Sequence, residues 1–164
     1  MPMLEPRNPK VFRNLDEAYK TGFEIMGHLD FLNDYFLKAE MFYVYTRNKD
    51  LKESLPLNPP FNATFILGHE KEKYWLHAQF NVTSKQDHIS KSFGETNTDG
   101  YETFDVRLGF KPFNGITFGV AALNIFDASY NNHLNFSFNN QVGFSRVPIN
   151  DPGRNFTAFL QYKF

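Results

Sequence analysis

The sequence predicts an all-β fold, an antiparallel transmembrane β-barrel segment of about seven strands from a larger barrel. Three observations predict it. Segments of about ten residues alternate between two kinds of side chain, as strands with two different faces require. Aromatic residues make up 18% of the chain, as 20 Phe, 8 Tyr and a single Trp, yet mean hydropathy stays at -0.47. The connections between segments alternate short and long, as they do between the two rims of an outer-membrane barrel.

The first segment sets Phe23, Ile25, Gly27 and Leu29 against Glu24, Met26 and His28. The second opposes Tyr35, Leu37, Ala39, Met41, Tyr43 and Tyr45 to Phe36, Lys38, Glu40, Phe42, Val44 and Thr46. In the third, Phe61, Ala63, Phe65 and Leu67 face away from Asn62, Thr64, Ile66 and Gly68; in the fourth, Tyr74, Leu76, Ala78, Phe80 and Val82 face away from Trp75, His77, Gln79, Asn81 and Thr83. The fifth has the cleanest pattern, with Phe104, Val106, Leu108 and Phe110 against Thr103, Asp105, Arg107, Gly109 and Lys111. Three charges on one strand face need water. The sixth places Ile116, Phe118, Val120 and Ala122 opposite Thr117, Gly119 and Ala121, and its alternation blurs in LNIFD. The seventh runs through Phe156, Ala158, Leu160, Tyr162 and Phe164. One face in lipid and one lining a wet lumen explain how so many rings coexist with low hydropathy. NLDEAYKTGFE opens like a helix but reads as loop leading into the first strand, because no stretch keeps a 3.6-residue period. Residues 1–17 are therefore expected to be an N-terminal loop or tail, and 18–164 the barrel segment.

Connections near 30–34, 69–73 and 112–115 are short, and those near 47–59, 84–100 and 127–152 are long. If the short ones are periplasmic, strand parity places Phe164 at the periplasmic rim.

The totals exclude several classes. A net charge of -1 supplies no basic field for nucleic acid or anionic headgroups, so neither partner is favoured. Without cysteine the chain has no disulfide, thiol nucleophile or thiolate metal site. No apolar run reaches the ~18 residues of a transmembrane helix, and MPMLEPRNPK lacks the apolar region of a secretory signal. No G-x-S-x-G occurs and no Ser, His and Asp form a recognisable set, so an enzyme is not expected, nor a cofactor. His28, His69, His77, His88 and His133 show no metal-ligand spacing; His69 is read in a short turn, His28 and His77 on the lumen face, His88 and His133 in outer loops.

LNIFDASYNNHLNF (123–136), followed by DPGRNFTAFLQYKF (151–164), resembles the C-terminal end of TonB-dependent receptors, with a strand ending in N-L-F-D, then Y and H-L, then P-G-R and an aromatic-terminated last strand. AYKTGFE (18–24), LPLNPPF (55–61) and TDGYETFDVRLGFKP (98–112) are similar to upstream parts of the same family, and the likeness covers nearly the whole chain after residue 11. The resemblance implies a bacterial outer-membrane barrel of about 22 strands around an N-terminal plug, energised by the TonB coupling protein. Its cargo would be a siderophore, metal chelate or similar nutrient. About seven strands form only part of such a wall, so this chain is expected to be a receptor fragment, a truncated gene product inactive alone. The alternative is a soluble antiparallel β-sandwich or lipocalin-like binding module.

Candidate site residues follow from these positions. Leu160, Tyr162 and Phe164 resemble the terminal signal read by the barrel assembly machinery, through strand addition to an edge; equally, they face outer-membrane lipid. Asp105, Arg107 and Lys111 form a lumen wall stripe that could meet the plug or a charged substrate, or serve as the solvated wall any barrel needs. Asn135, Phe136, Phe138, Asn139, Asn140 and Phe144 form a ligand-facing loop, where rings could stack and amides hydrogen-bond.

Overall fold

A computed structural model of the protein describes residue 14, residues 16–135 and residues 149–164. One antiparallel sheet runs in chain order: β1 (Ala18–Phe31), β2 (Tyr35–Asn48), β3 (Asn62–Glu70), β4 (Tyr74–Thr83), β5 (Tyr101–Phe113), β6 (Ile116–Leu123) and β7 (Asn155–Tyr162). Every strand pairs with its sequence neighbours alone, so among the described residues the outer edges of β1 and β7 are unpaired.

The register carries one side-chain row across all seven strands: Leu29, Leu37, Leu67, Ala78, Val106, Ala122 and Phe156. The row on the opposite face reads Asp30, Phe36, Gly68, His77, Arg107, Ala121 and Thr157. Because side chains alternate with period 2, a one-residue slip anywhere would mix the two sets. Seven independent alternations therefore merge into one apolar and one polar surface.

Among the described residues, nothing packs against the apolar surface. Ala63 and Pro60 are the buried apolar side chains among the described residues, while Leu67 is 47% exposed and Phe110 49%. A β-sandwich would stack a second sheet about 10 Å away, and the described residues form no second sheet. The sandwich alternative is thus not the architecture this chain adopts.

Aromatic side chains edge the apolar surface at both ends. Tyr19 and Tyr45 lie 6.1 Å apart toward the long connections, beside Phe23 and Tyr43. Toward the short turns, Phe31, Tyr35, His69 and Tyr74 make successive ring contacts at 5.8, 4.3 and 5.5 Å. His69, expected in a turn, is instead in β3 on the apolar face, because its register partners are Tyr35 and Leu76. β1 also starts earlier than the local pattern suggests. AYKTG pairs with Val44–Asn48, where the length of β2 and the contact of Tyr19 with Tyr45 outweigh a weak intrinsic preference for strand.

The short connections are 32–34, 71–73 and 114–115, and the long ones 49–61, 84–100 and 124–154. Gly115, at φ 84°, supplies the positive φ that a two-residue hairpin loop requires. On the polar face the Phe36 ring lies over Gly68 and the Trp75 indole over Gly109, the nearest ring atom in each case 2.1 Å from where a Cβ would stand. Glycine leaves room there for the ring on the neighbouring strand rather than serving a turn.

Candidate functional site

Two regions concentrate polar chemistry: the polar face of β3–β6 and the end of the sheet where the long connections meet. On the polar face, Arg107 donates from Nη1 to Gln79 Oε1 at 2.7 Å and from Nη2 to Asp105 Oδ2 at 3.1 Å. Asn81 Oδ1 accepts from Gln79 Nε2 at 2.7 Å and from Thr64 Oγ1 at 3.1 Å, while Asn81 Nδ2 donates to Thr103 Oγ1 at 3.0 Å. These bonds link three strands on one wall. Asp105, 8% exposed, also accepts the backbone N–H of Asn124 through Oδ1 at 2.9 Å, fastening the exit of β6 to β5.

Of the expected wall residues, the structure joins Asp105 and Arg107 directly. Lys111 stands apart, inside a register shift between Phe110 and Phe113 that puts one extra residue into β5. It is exposed at the short-turn end and has no ion-pair partner among the described residues. His28 and His77 lie on this face, bonded to Asp30 at 2.9 Å and Glu70 at 2.7 Å. Among the described residues no three or more of His, Asp or Glu gather to hold a metal ion.

At the other end, the long connections hold one another. The Glu53 carboxylate accepts from Ser90 Oγ at 2.9 Å, from the Ser92 backbone N–H at 3.1 Å and from Ser92 Oγ. Glu95 accepts the Ser90 N–H at 2.7 Å, and Gln86 Nε2 donates to the Asn58 carbonyl at 2.8 Å. Thr98 Oγ1 meets His133 Nδ1 at 3.1 Å, and Tyr101 stacks on Tyr130 with centroids 4.1 Å apart. Asn124 and Ala128 exchange two bonds, at 2.8 and 2.9 Å, across a turn in which Asn124 and Asp127 have positive φ. The blurring of alternation at LNIFD is this turn. No periodicity reveals Glu53, Ser90, Ser92 or Glu95; the available signal was clustering of Ser and Glu in two connections, which by itself names no partner.

Asn135 donates through Nδ2 to Asp151 Oδ2 at 2.9 Å, which ties the two described ends of its connection together. Phe136, Phe138, Asn139, Asn140 and Phe144 lie outside the described residues, as does most of the expected 1–17 tail. Leu160 and Tyr162 project from β7 on the apolar face, opposite Phe118 and Ile116. Phe164 follows, its ring 6.2 Å from that of Tyr162.

Acid should loosen the interlocked connections. Burial pushes the Glu53 carboxyl up, but hydrogen bonds from Ser92, Ser90 and the Lys91 backbone outweigh it and leave it below the ordinary 4.5. A depressed carboxylate adds stability above its unfolded pKa, lost as pH falls through the folded value. Burial also holds the His133 imidazole below 6.5, against the opposing pull of Glu95, and its Nε2 is buried without a partner. Unfolding frees that ring to take a proton, so its contribution declines as pH falls below 6.5. Limited proteolysis at 84–100 should quicken in two stages on acidification, with His133→Gln removing the earlier and Glu53→Gln the later. A cleavage rate independent of pH would count against this assignment.

No protein-family model and no curated protein sequence matches the chain. Solved structures do. Copper transporter OprC superposes with a TM-score of 0.82 at 22% identity, covering 90% of this chain and 24% of its own. The ferric enterobactin receptor PfeA of Pseudomonas aeruginosa gives 0.73 at 19% identity, covering 92% and 23%. The ferric yersiniabactin uptake receptor FyuA of Yersinia pestis gives 0.72 at 17% identity, covering 90% and 24%. The chain spans about a quarter of the length of these structures. They are transport receptors rather than enzymes. With seven consecutive antiparallel strands, one apolar face and one polar face, the chain has the fold of a barrel-wall segment of TonB-dependent outer-membrane receptors.

Proposed function

We propose that this chain forms part of the wall and outer loops of a bacterial outer-membrane receptor for TonB-dependent uptake of a siderophore, metal chelate or similar nutrient. The observation that carries this reading is the single sheet whose apolar face meets no protein among the described residues, with the long connections gathered at one end. The likeness to receptors named for copper, ferric enterobactin and ferric yersiniabactin supports it. In this reading the apolar face contacts lipid, and the Asp105 and Arg107 face looks toward the lumen and the plug that fills a complete receptor. Leu160, Tyr162 and Phe164 present the terminal strand to the assembly machinery, and the connection that includes Asn135 faces the ligand. Transport belongs to a closed barrel with plug and TonB. Among the described residues the seven strands form an open sheet that encloses no channel, and each unpaired backbone group at its edges would cost several kcal/mol by order of magnitude in hydrocarbon.

The absence of native cysteine makes orientation directly testable. Asn97 lies exposed in the long connection after β4, and Glu72 exposed in the short turn after β3. A membrane-impermeant maleimide should label Asn97→Cys on intact cells, and Glu72→Cys only after the outer membrane is opened. Equal labelling of both, or the reverse order, would defeat the reading. Deleting the gene should remove uptake of one chelate from a panel of siderophores and metal complexes; undiminished uptake of all of them would defeat the transport role.

A further inference from the structure

A cavity of about 340 Å³ opens beside the connections that follow β2 and β4, and its lining includes Arg47, Lys52, His88 and Lys91. Its place is set by register. Arg47 lies opposite Tyr19 and continues the outward alternation of Tyr43 and Tyr45, while the His88 ring meets Tyr45 edge-on at 5.6 Å. The cavity therefore sits on the apolar side of the sheet, just past its upper aromatic edge. At ~3.3 Å per residue, Arg47 is roughly 7 Å beyond Tyr45 along the strand. That step matches the depth of a headgroup layer, since the polar regions add some 5–8 Å to each side of the hydrocarbon.

The charges in this cavity are not balanced locally. Asp87 is engaged by Lys85 at 3.8 Å and His88 at 4.0 Å, and Glu53 is taken up by the hydroxyls of Ser90 and Ser92. Arg47, Lys52 and Lys91 have no carboxylate within 4.0 Å among the described residues. Three permanent cations, Arg47 from the end of β2 and Lys52 and Lys91 from two connections, thus converge on one opening, in a chain whose net charge is -1. Guanidinium and ammonium groups so placed match the several oxygens of a phosphate, Arg47 through a two-pronged contact and the lysines as point charges.

We propose that this cavity binds the phosphate of an anionic lipid headgroup in the outer leaflet. The proposal rests on the membrane reading above, because only an embedded apolar face brings lipid phosphates to this height.

The test uses the protein extracted from its outer membrane in a zwitterionic detergent. Lipid retention is read by native mass spectrometry during titration with bisphosphorylated lipid A or its dephosphorylated form. The phosphorylated lipid should be retained about tenfold more tightly, and R47Q/K52Q/K91Q should abolish that preference. Each single variant should show a partial loss, so the result does not depend on the triple variant folding. Lys111→Gln, at the opposite rim, should retain it. Equal retention of both lipids, or a preference untouched by the triple variant, would overturn the proposal. Complete displacement of lipid by millimolar inorganic phosphate would identify a free-phosphate site and overturn the lipid assignment. Recovery of the chain in the soluble fraction without detergent would instead sink the membrane reading itself.

Discussion

Leu67→Arg should deplete the protein from the membrane fraction, whereas Ile66→Arg, one residue earlier, should leave it there. Both are aliphatic residues of β3, and hydropathy along the chain does not separate them. The register does: Leu67 sits in the apolar row between Leu37 and Ala78, while Ile66 lies between Lys38 and Gln79 on the polar face. An arginine on the lipid face near the middle of a barrel costs about 2–4 kcal/mol. At Ile66 the new charge meets Lys38, which already contacts Glu40 at 3.8 Å, and the cost should stay within about 1 kcal/mol. Urea titration in lipid vesicles measures the difference. Comparable losses for the two variants would mean that both faces are equally wet, which no membrane-spanning sheet permits.

The second large effect is expected at Asp105. Asp105→Ala leaves the buried Asn124 N–H without its acceptor and removes the carboxylate partner of Arg107. An orphaned buried donor costs about 1–3 kcal/mol, and the unpaired guanidinium raises the total to roughly 2–4 kcal/mol. Asp105→Asn retains an acceptor for Asn124 but not the charge pairing, so it should recover part of the loss. Hydrogen exchange at the Asn124 amide locates the effect: it should accelerate strongly in the alanine variant and modestly in the asparagine variant. An unchanged rate in Asp105→Ala would show that this bond does not hold the exit of β6. Because the turn through Asn124 and Asp127 begins the last long connection, its loosening should reach Tyr130 and His133 as well.

Some of this was legible in the residues alone. Alternation located all seven strands and assigned Leu67, Val106 and Leu108 to one face and Asp105 and Arg107 to the other, because a pleated strand can satisfy two environments only with period 2. The alternation of connection lengths was equally plain. His69 and AYKTG were misread for a shared reason: their state depends on Tyr35 and on the upper half of β2, which are distant in sequence. Counting in twos groups Lys111 with Arg107, and the register shift between Phe110 and Phe113, within which Lys111 falls, is not visible in that count.

By itself the sequence determined the class of fold and the sidedness of each strand, since both follow from the period-2 alternation of apolar with polar side chains. Tertiary structure alone decided what meets across the sheet and between the loops. Glu53 reaches Ser90 and Ser92, Phe36 and Trp75 rest on Gly68 and Gly109, and Arg47, Lys52 and Lys91 share one cavity. Such pairings depend on strand register and chain path. Neither is encoded in any local period, and so a net charge near zero concealed a concentrated positive site.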